Sequence, residues 1–194
     1  MKNKNIKRMA GIALLMAMVV VMQLLSAIIP PVGGFAISLV LIPIVLGAAV
    51  YGAAAGALLG ATFGVIVFIN CVTGADPGGA MVFQANPVLC FLVVMGKGTL
   101  AGLASGWVYK LLKGINPYFA VVCASAICPV VNTGVFVACM LLFFNEVLSA
   151  WAGGGDLLGY ILTGLILANF VPELIINILF SPISQRIKQT VTKI

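Results

Sequence analysis

Histidine is absent from this chain of 194 residues, and acidic side chains number only 4. The first absence removes at one stroke the commonest general base and the commonest metal ligand. Charge of either sign is scarce as well, at 7% of residues against 63% hydrophobic, with a mean hydropathy of +1.25. A water-soluble domain of this length covers itself with far more polar surface, so a soluble enzyme is excluded. No GxxxxGK[ST] phosphate loop occurs, which argues against ATP hydrolysis by this chain itself. The 5 cysteines, at 71, 90, 123, 128 and 139, form no CxxC and are scattered through apolar runs. They read as small hydrophobes, with no metal or cofactor site indicated. Cys71 and Cys90 flank one polar loop and would pair only if it faces an oxidising side. The net charge of +6 is no nucleic-acid signal, because the cations cluster beside apolar blocks.

What is present is a series of apolar runs near the 17–25 residues that a helix needs to cross hydrocarbon. They do not alternate over ten-residue segments as a membrane barrel would. The first runs from about Met9 to Ile29, behind Lys2, Lys4, Lys7 and Arg8, and ends at Pro30-Pro31. A basic start before an apolar run also fits a signal peptide, but this run is too long and five more follow. The second, about Phe35 to Val50, is short, and Pro43 inside it predicts a kink or break. After a tight link at Tyr51-Gly52 the third ends near Asn70, and a loop with Asp76, Pro77, Gly78 and Gly79 reaches about Asn86. The fourth (about Pro87 to Tyr109) ends at Lys110 and Lys113. The fifth spans about Tyr118 to Phe144, and the sixth, about Leu157 to Ile183, precedes Arg186, Lys188 and Lys193.

Alternating sides collects the basic segments on one face and Asp76, Glu146 and Asp156 on the other. The positive-inside rule makes the basic face cytoplasmic. The expected fold is therefore all-α and integral to the membrane: a compact six-transmembrane-helix bundle with both termini cytoplasmic, one membrane domain over residues 1–194. Gly52, Gly56, Gly60 and Gly64 recur at every fourth position of the third run, and Gly98, Gly102 and Gly106 in the fourth. Such spacing lets helix backbones approach in lipid, either within the bundle or as a sliding face for another subunit.

Twelve of the fourteen charges lie between the blocks or at the ends; Lys97 and Glu173 lie deep inside them. An ion at that depth costs at least about 2.5–3.5 kcal/mol, so it faces a partner, a cavity or a ligand. At about 1.5 Å per residue, both fall roughly 15–24 Å below the outer surface. Asn132 and Thr133 lie near the middle of the fifth run, and Asn169 precedes Glu173 by one helical turn. Lys97, Asn132, Asn169 and Glu173 would line a polar chamber among the last three spans, with Asn70, Gln84 and Asn86 above it. Gly78-Gly79 would let the outer loop move as a lid. The alternative is a Lys97–Glu173 ion pair that only ties two helices together.

The chain resembles the substrate-binding S components of energy-coupling factor (ECF) vitamin transporters. The resemblance covers nearly the whole length. It rests on the six spans, the ALLMA stretch from Ala13 to Ala17, and IPIVLGAAVYGAAAGALLGATFG from Ile42 to Gly64. The pantothenate-type branch is nearest, through GLASGWVYKLL (Gly102 to Leu112), Asn132-Thr133 and NFVPE (Asn169 to Glu173). Where that branch often carries Pro-Arg this chain has Gly96-Lys97, which keeps the charge without the planar fork. The outer loop matches only around Val82-Phe83.

The resemblance implies a non-enzymatic receptor in a prokaryotic cell membrane. It would capture a small vitamin, pantothenate first and riboflavin, folate or another vitamin as the alternative. Delivery would run through a transmembrane T component driven by two ATPases, with Ala13 and Ala17 in the docking surface. Two other readings compete: a self-sufficient small-solute transporter or channel gated by Lys97 and Glu173, and an intramembrane enzyme using Glu173 as base. The first lacks inverted halves or paired carboxylates. The second lacks any second catalytic partner.

Overall fold

A computed structural model describes residues 2–28 and 38–193, with side chains for 5–26 and 38–190. The expected limits at Ile29, Pro30-Pro31 and Phe35 lie outside the described residues. Every regular element among those described is helical. The long ones are α1 (Lys2–Ile28), α3 (Ala53–Thr73), α5 (Pro87–Leu112), α6 (Pro117–Phe143) and α9 (Val171–Lys193). Shorter pieces are α2 (Leu41–Tyr51), α4 (Pro77–Ala85), α7 (Asn145–Trp151) and α8 (Leu157–Tyr160). Between α8 and α9, residues Ile161–Phe170 form wider π-type turns, so that Leu157–Thr190 makes one continuous apolar span.

Among the described residues, five spans are long and apolar enough to cross a membrane: Asn5–Ser26, Ala53–Thr73, Pro87–Leu112, Pro117–Phe143 and Leu157–Thr190. The second apolar block departs from expectation. Its helix α2 has 11 residues, about 16 Å of rise against a hydrocarbon core of about 30 Å. Pro43 does not break it. It sits in the first turn, where an N–H would have no intrahelical partner anyway. The break falls instead at Gly52, whose φ of +95° ends α2 and starts α3.

Local chemistry starts several of these helices. Asn116 Oδ1 accepts the N–H groups of Tyr118 (2.8 Å) and Phe119 (3.3 Å), with Pro117 in the first turn, and so begins α6. Asp156 Oδ1 accepts Leu158 N–H at 3.1 Å. The outer segment expected as a loop is a helix from Pro77 to Ala85: Pro77 presets the first turn and Ala80-Met81 continue it.

The glycine spacing is used inside the bundle. Gly56 faces Gly102 across α3 and α5, Gly60 faces Gly98, and Gly106 faces Ala53. A methyl on Gly60 would fall inside the carbonyl group of Gly98, and one on Gly64 would lie 2.8 Å from Val94 O. Backbone therefore packs on backbone along this seam. α5 is tied on its other side to α6, where the buried Ser105 Oγ donates to Ala124 O at 2.9 Å. Large apolar side chains such as Leu14, Leu92, Leu111, Leu142 and Leu179 point outward, the surface that lipid covers.

Candidate functional site

Beneath α4 the bundle encloses a cavity of about 470 Å³. Its walls come from α1, α3, α5, α6, α7, the π-type turns and α9, together with Ser38 ahead of α2. Asp76, Pro77, Gly79 and Val82 bound it on the α4 side, and Phe63, Val67, Val93 and Val94 form an apolar wall.

Lys97, Asn132, Asn169 and Glu173 all line this one space. Lys97 reaches it from the middle of α5. Its Nζ stands 4.8 Å from the ring centre of Phe136 and 5.7 Å from that of Phe63. Aromatic faces attract the ammonium without neutralising it, so its charge remains available to an anion. Phe136 is itself stacked on Trp151, with ring centres 6.4 Å apart, which fixes its plane.

Glu173 is 2% exposed. Its Oε1 accepts the backbone N–H of Ser38 at 3.0 Å, and Oε2 has no hydrogen-bond partner among the described residues. Next to it, Ser26 Oγ accepts Leu39 N–H at 3.2 Å. Two side chains from distant helices thus hold the N–H groups leading into α2, which have no helical acceptor of their own. No hydrogen bond joins Lys97 to Glu173 among the described residues, so the interhelical tie weighed from the sequence is not what these charges form. Instead a cation and a carboxylate share a cavity, each keeping capacity for a third party.

Other polar atoms around the cavity share that property. Gln23 Oε1, Ser38 Oγ, Asn132 Oδ1, Thr133 Oγ1 and Asn169 Oδ1 are buried without a partner among the described residues. A buried polar group left unpaired costs on the order of 1–3 kcal/mol, so a concentration of them in one cavity signals a polar guest. Most are acceptors, which suits a ligand carrying hydroxyl or amide hydrogens, with an anionic group opposite Lys97. Pro129 lies inside α6 about one turn before Asn132, and the π-type turns end at Phe170, next to Asn169.

Gln84 and Asn86 do not join the cavity. Gln84 is exposed on α4. Asn86 caps α5, its Oδ1 accepting Leu89 N–H at 3.0 Å. Sequence reasoning missed Gln23, Ser26 and Ser38. Gln23 carried a usable signal, being an amide inside the first apolar block. Asp76 and the aromatic ring pair had none, because only the fold brings them over Lys97. The thiols of Cys71 and Cys90 are free, buried and part of the cavity wall. Ala13 and Ala17 are exposed on α1, open to an outside partner.

A family model described as "ECF transporter, substrate-specific component" matches residues 7–184. The chain is also 26% identical, over 93% of each protein, to the pantothenic acid transporter PanT of Lactococcus lactis subsp. cremoris.

Proposed function

The chain belongs to the substrate-specific component family of ECF transporters, and from that premise we propose that it is the membrane receptor for pantothenate. As a family member it is a vitamin-specific substrate-binding component of a transporter rather than an enzyme. Pantothenate carries one carboxylate, two hydroxyls and one secondary amide. Lys97 would hold the carboxylate, while Glu173, Asn132 and Asn169 would accept hydrogen bonds from the hydroxyls and the amide. The observation that carries this reading is the cavity itself: one ammonium, held on aromatic faces, opposite a set of buried unpartnered oxygens. The likeness to a pantothenic acid transporter supports the same ligand.

In this reading residues 1–194 form one domain of six membrane-embedded helical segments in a prokaryotic cell membrane, with α2 as the short one. Both termini and Lys110–Lys113 lie on the cytoplasmic side, and the α4 side opens outward. Ala13 and Ala17 offer a small-residue docking surface to a T component energised by two ATPases. Gln84 and Asn86 are left out of the ligand shell, since neither lines the cavity.

Mass spectrometry of the small molecule that copurifies with the detergent-solubilised chain tests the ligand. Pantothenate in stoichiometric amount is the expected result. A flavin, a folate or an unrelated solute in its place would overturn the assignment. Flux of pantothenate through the chain reconstituted alone, with no ATPases, would overturn the receptor role and favour a self-sufficient transporter.

A further inference from the structure

The glycine seam between α3 and α5 runs toward the α4 end of the bundle, and two thiols stand where it ends. Gly56 faces Gly102, Gly60 faces Gly98 and Gly64 faces Val94. Continuing this antiparallel register brings Cys90, one turn beyond Val94, to the end of α3 that carries Cys71. The Cys71 and Cys90 side chains are joined by a hydrogen bond. Near the same level the rings of Phe68 and Phe91 meet edge to face, 5.2 Å between centres, which fixes how the two helices sit.

Both sulfurs belong to the cavity wall rather than to the outer surface. Cys71 is 2% exposed and Cys90 is fully buried. α4 rests directly on them: a methyl placed on Gly79 would fall 2.5 Å from Cys71 Sγ. The other three cysteines, Cys123, Cys128 and Cys139, all lie on α6 and do not line the cavity. A single buried cysteine is ordinarily an inert small hydrophobe. Two that touch across neighbouring helices are different, since a bond between them needs little backbone movement where the helices already pack closely.

We propose that Cys71 and Cys90 are a redox-modification site, at which a low-molecular-weight disulfide joins them into a cystine that staples the ends of α3 and α5 beneath α4. One cysteine thiol attacks the reagent RSSR, forming a mixed disulfide and releasing RSH. The second thiol displaces the remaining RS group as RSH, and the protein S–S bond forms. Two protein thiols are oxidised, one RSSR is reduced to two RSH, and each proton departs on a leaving thiol. The reagent reaches the sulfurs through the cavity, so it must be small. The bond closes a ring from residue 71 to residue 90 that contains the whole of α4. Restricting the unfolded chain in this way stabilises the fold. This chemistry depends on neither the identity of the vitamin nor the orientation in the membrane. The orientation given above adds only that the outside, where such bonds persist, supplies the reagent.

The test treats the purified, ligand-free chain with 2-hydroxyethyl disulfide, removes the reagent, and then unfolds the protein in a maleimide before mass spectrometry. The expected product has lost two hydrogen atoms, yields one peptide pair linked through Cys71 and Cys90, and carries maleimide on Cys123, Cys128 and Cys139 alone. Its melting temperature should be several degrees above that of the untreated chain and should return on addition of dithiothreitol. Cys71→Ala and Cys90→Ala should each fold, show no loss of hydrogen and gain no thermal stability from the reagent. Maleimide on both cysteines of the treated wild type would overturn the site. So would a mixed disulfide that never resolves, or a linkage to a cysteine of α6. A Cys71–Cys90 bond that lowers the melting temperature would overturn the staple.

Discussion

Along α3 and α5 the two backbones touch through glycine, helix against helix. Where α9 faces the cavity and α2, the contact is made by amides, a carboxylate and hydroxyls, several of them lacking partners. Both regions are buried in the same bundle and both come from apolar stretches of sequence. They differ in what they would lose by being simplified. The glycine seam is at its packing optimum, so any added atom is destabilising. The α9 side carries buried polar atoms that the fold does not use, such as Asn169 Oδ1, so apolar replacement at Asn169 should cost function rather than stability. Stability and activity are thus separated onto two sides of one cavity, as expected where polar groups are kept for a ligand.

Substitution in the seam should give the largest effect. Gly60→Leu places a branched side chain where even a methyl meets the Gly98 carbonyl. The expected cost exceeds the roughly 1–3 kcal/mol of ordinary overpacking, because helix backbones rather than side chains must separate. Size-exclusion chromatography in detergent should show loss of the folded monomer; a normal elution and melting temperature would contradict backbone packing here.

Lys97→Ala comes next and inverts the pattern. Removing one partner of a buried charge pair costs about 3 kcal/mol of binding, roughly 100-fold in Kd for pantothenate. The melting temperature of the ligand-free chain should hold or rise, since an ion has left the membrane interior. A folded variant with wild-type affinity would remove Lys97 from the site.

Glu173→Gln sharpens the comparison within one side chain. The amide oxygen still accepts Ser38 N–H, while the charge offered to the ligand is gone. Affinity should fall about 10-fold, near the roughly 1.5 kcal/mol of a charge-assisted hydrogen bond, and the exchange of the Ser38 amide proton should stay slow. Rapid exchange at Ser38 together with lost binding would mean that the carboxylate serves the fold first.

The smallest effects belong to Asn86 and Gln84. Asn86→Ala removes the cap of α5 and should cost about 1 kcal/mol of stability, with Kd within 2-fold. Gln84→Ala should change neither quantity. A 10-fold loss of affinity from either would bring the outer end of α4 into the ligand shell.

The parts of this molecule legible in sequence were those where a residue contradicts its surroundings. Lys97, Asn132, Asn169 and Glu173 stand out against long apolar runs, and the energetic cost of that position drives them into one interior space. The glycine spacing was legible for the same reason, since four-residue recurrence specifies a helix face. Its partner was not, because one chain read linearly cannot say whether a small-residue face meets its own bundle or another subunit.

Two parts of the chain read differently once the fold is known, where local and tertiary effects compete. Hydropathy from about Phe35 to Val50 reads as a span, yet the helix over Leu41–Tyr51 is anchored by Ser26 and Glu173 from other elements. Asn86 looked like a ligand group because polar residues next to a binding loop attract that reading. Its position directly before Pro87 was the better signal, as asparagine before proline marks a helix start. Asp76 and the Phe63–Phe136 pair around Lys97 could not be anticipated, since nothing in their spacing indicates a shared neighbour.

Recognition in this cavity beneath α4 depends on Lys97 meeting a carboxylate. The most direct measurement is calorimetric titration of wild type and Lys97→Ala with pantothenate and with pantothenol, its neutral alcohol, which differs only at that group. Wild type should prefer pantothenate by about 100-fold, and the preference should collapse to a few-fold in the variant. Equal affinity of wild type for the two compounds, or a preference that survives the loss of Lys97, would contradict it.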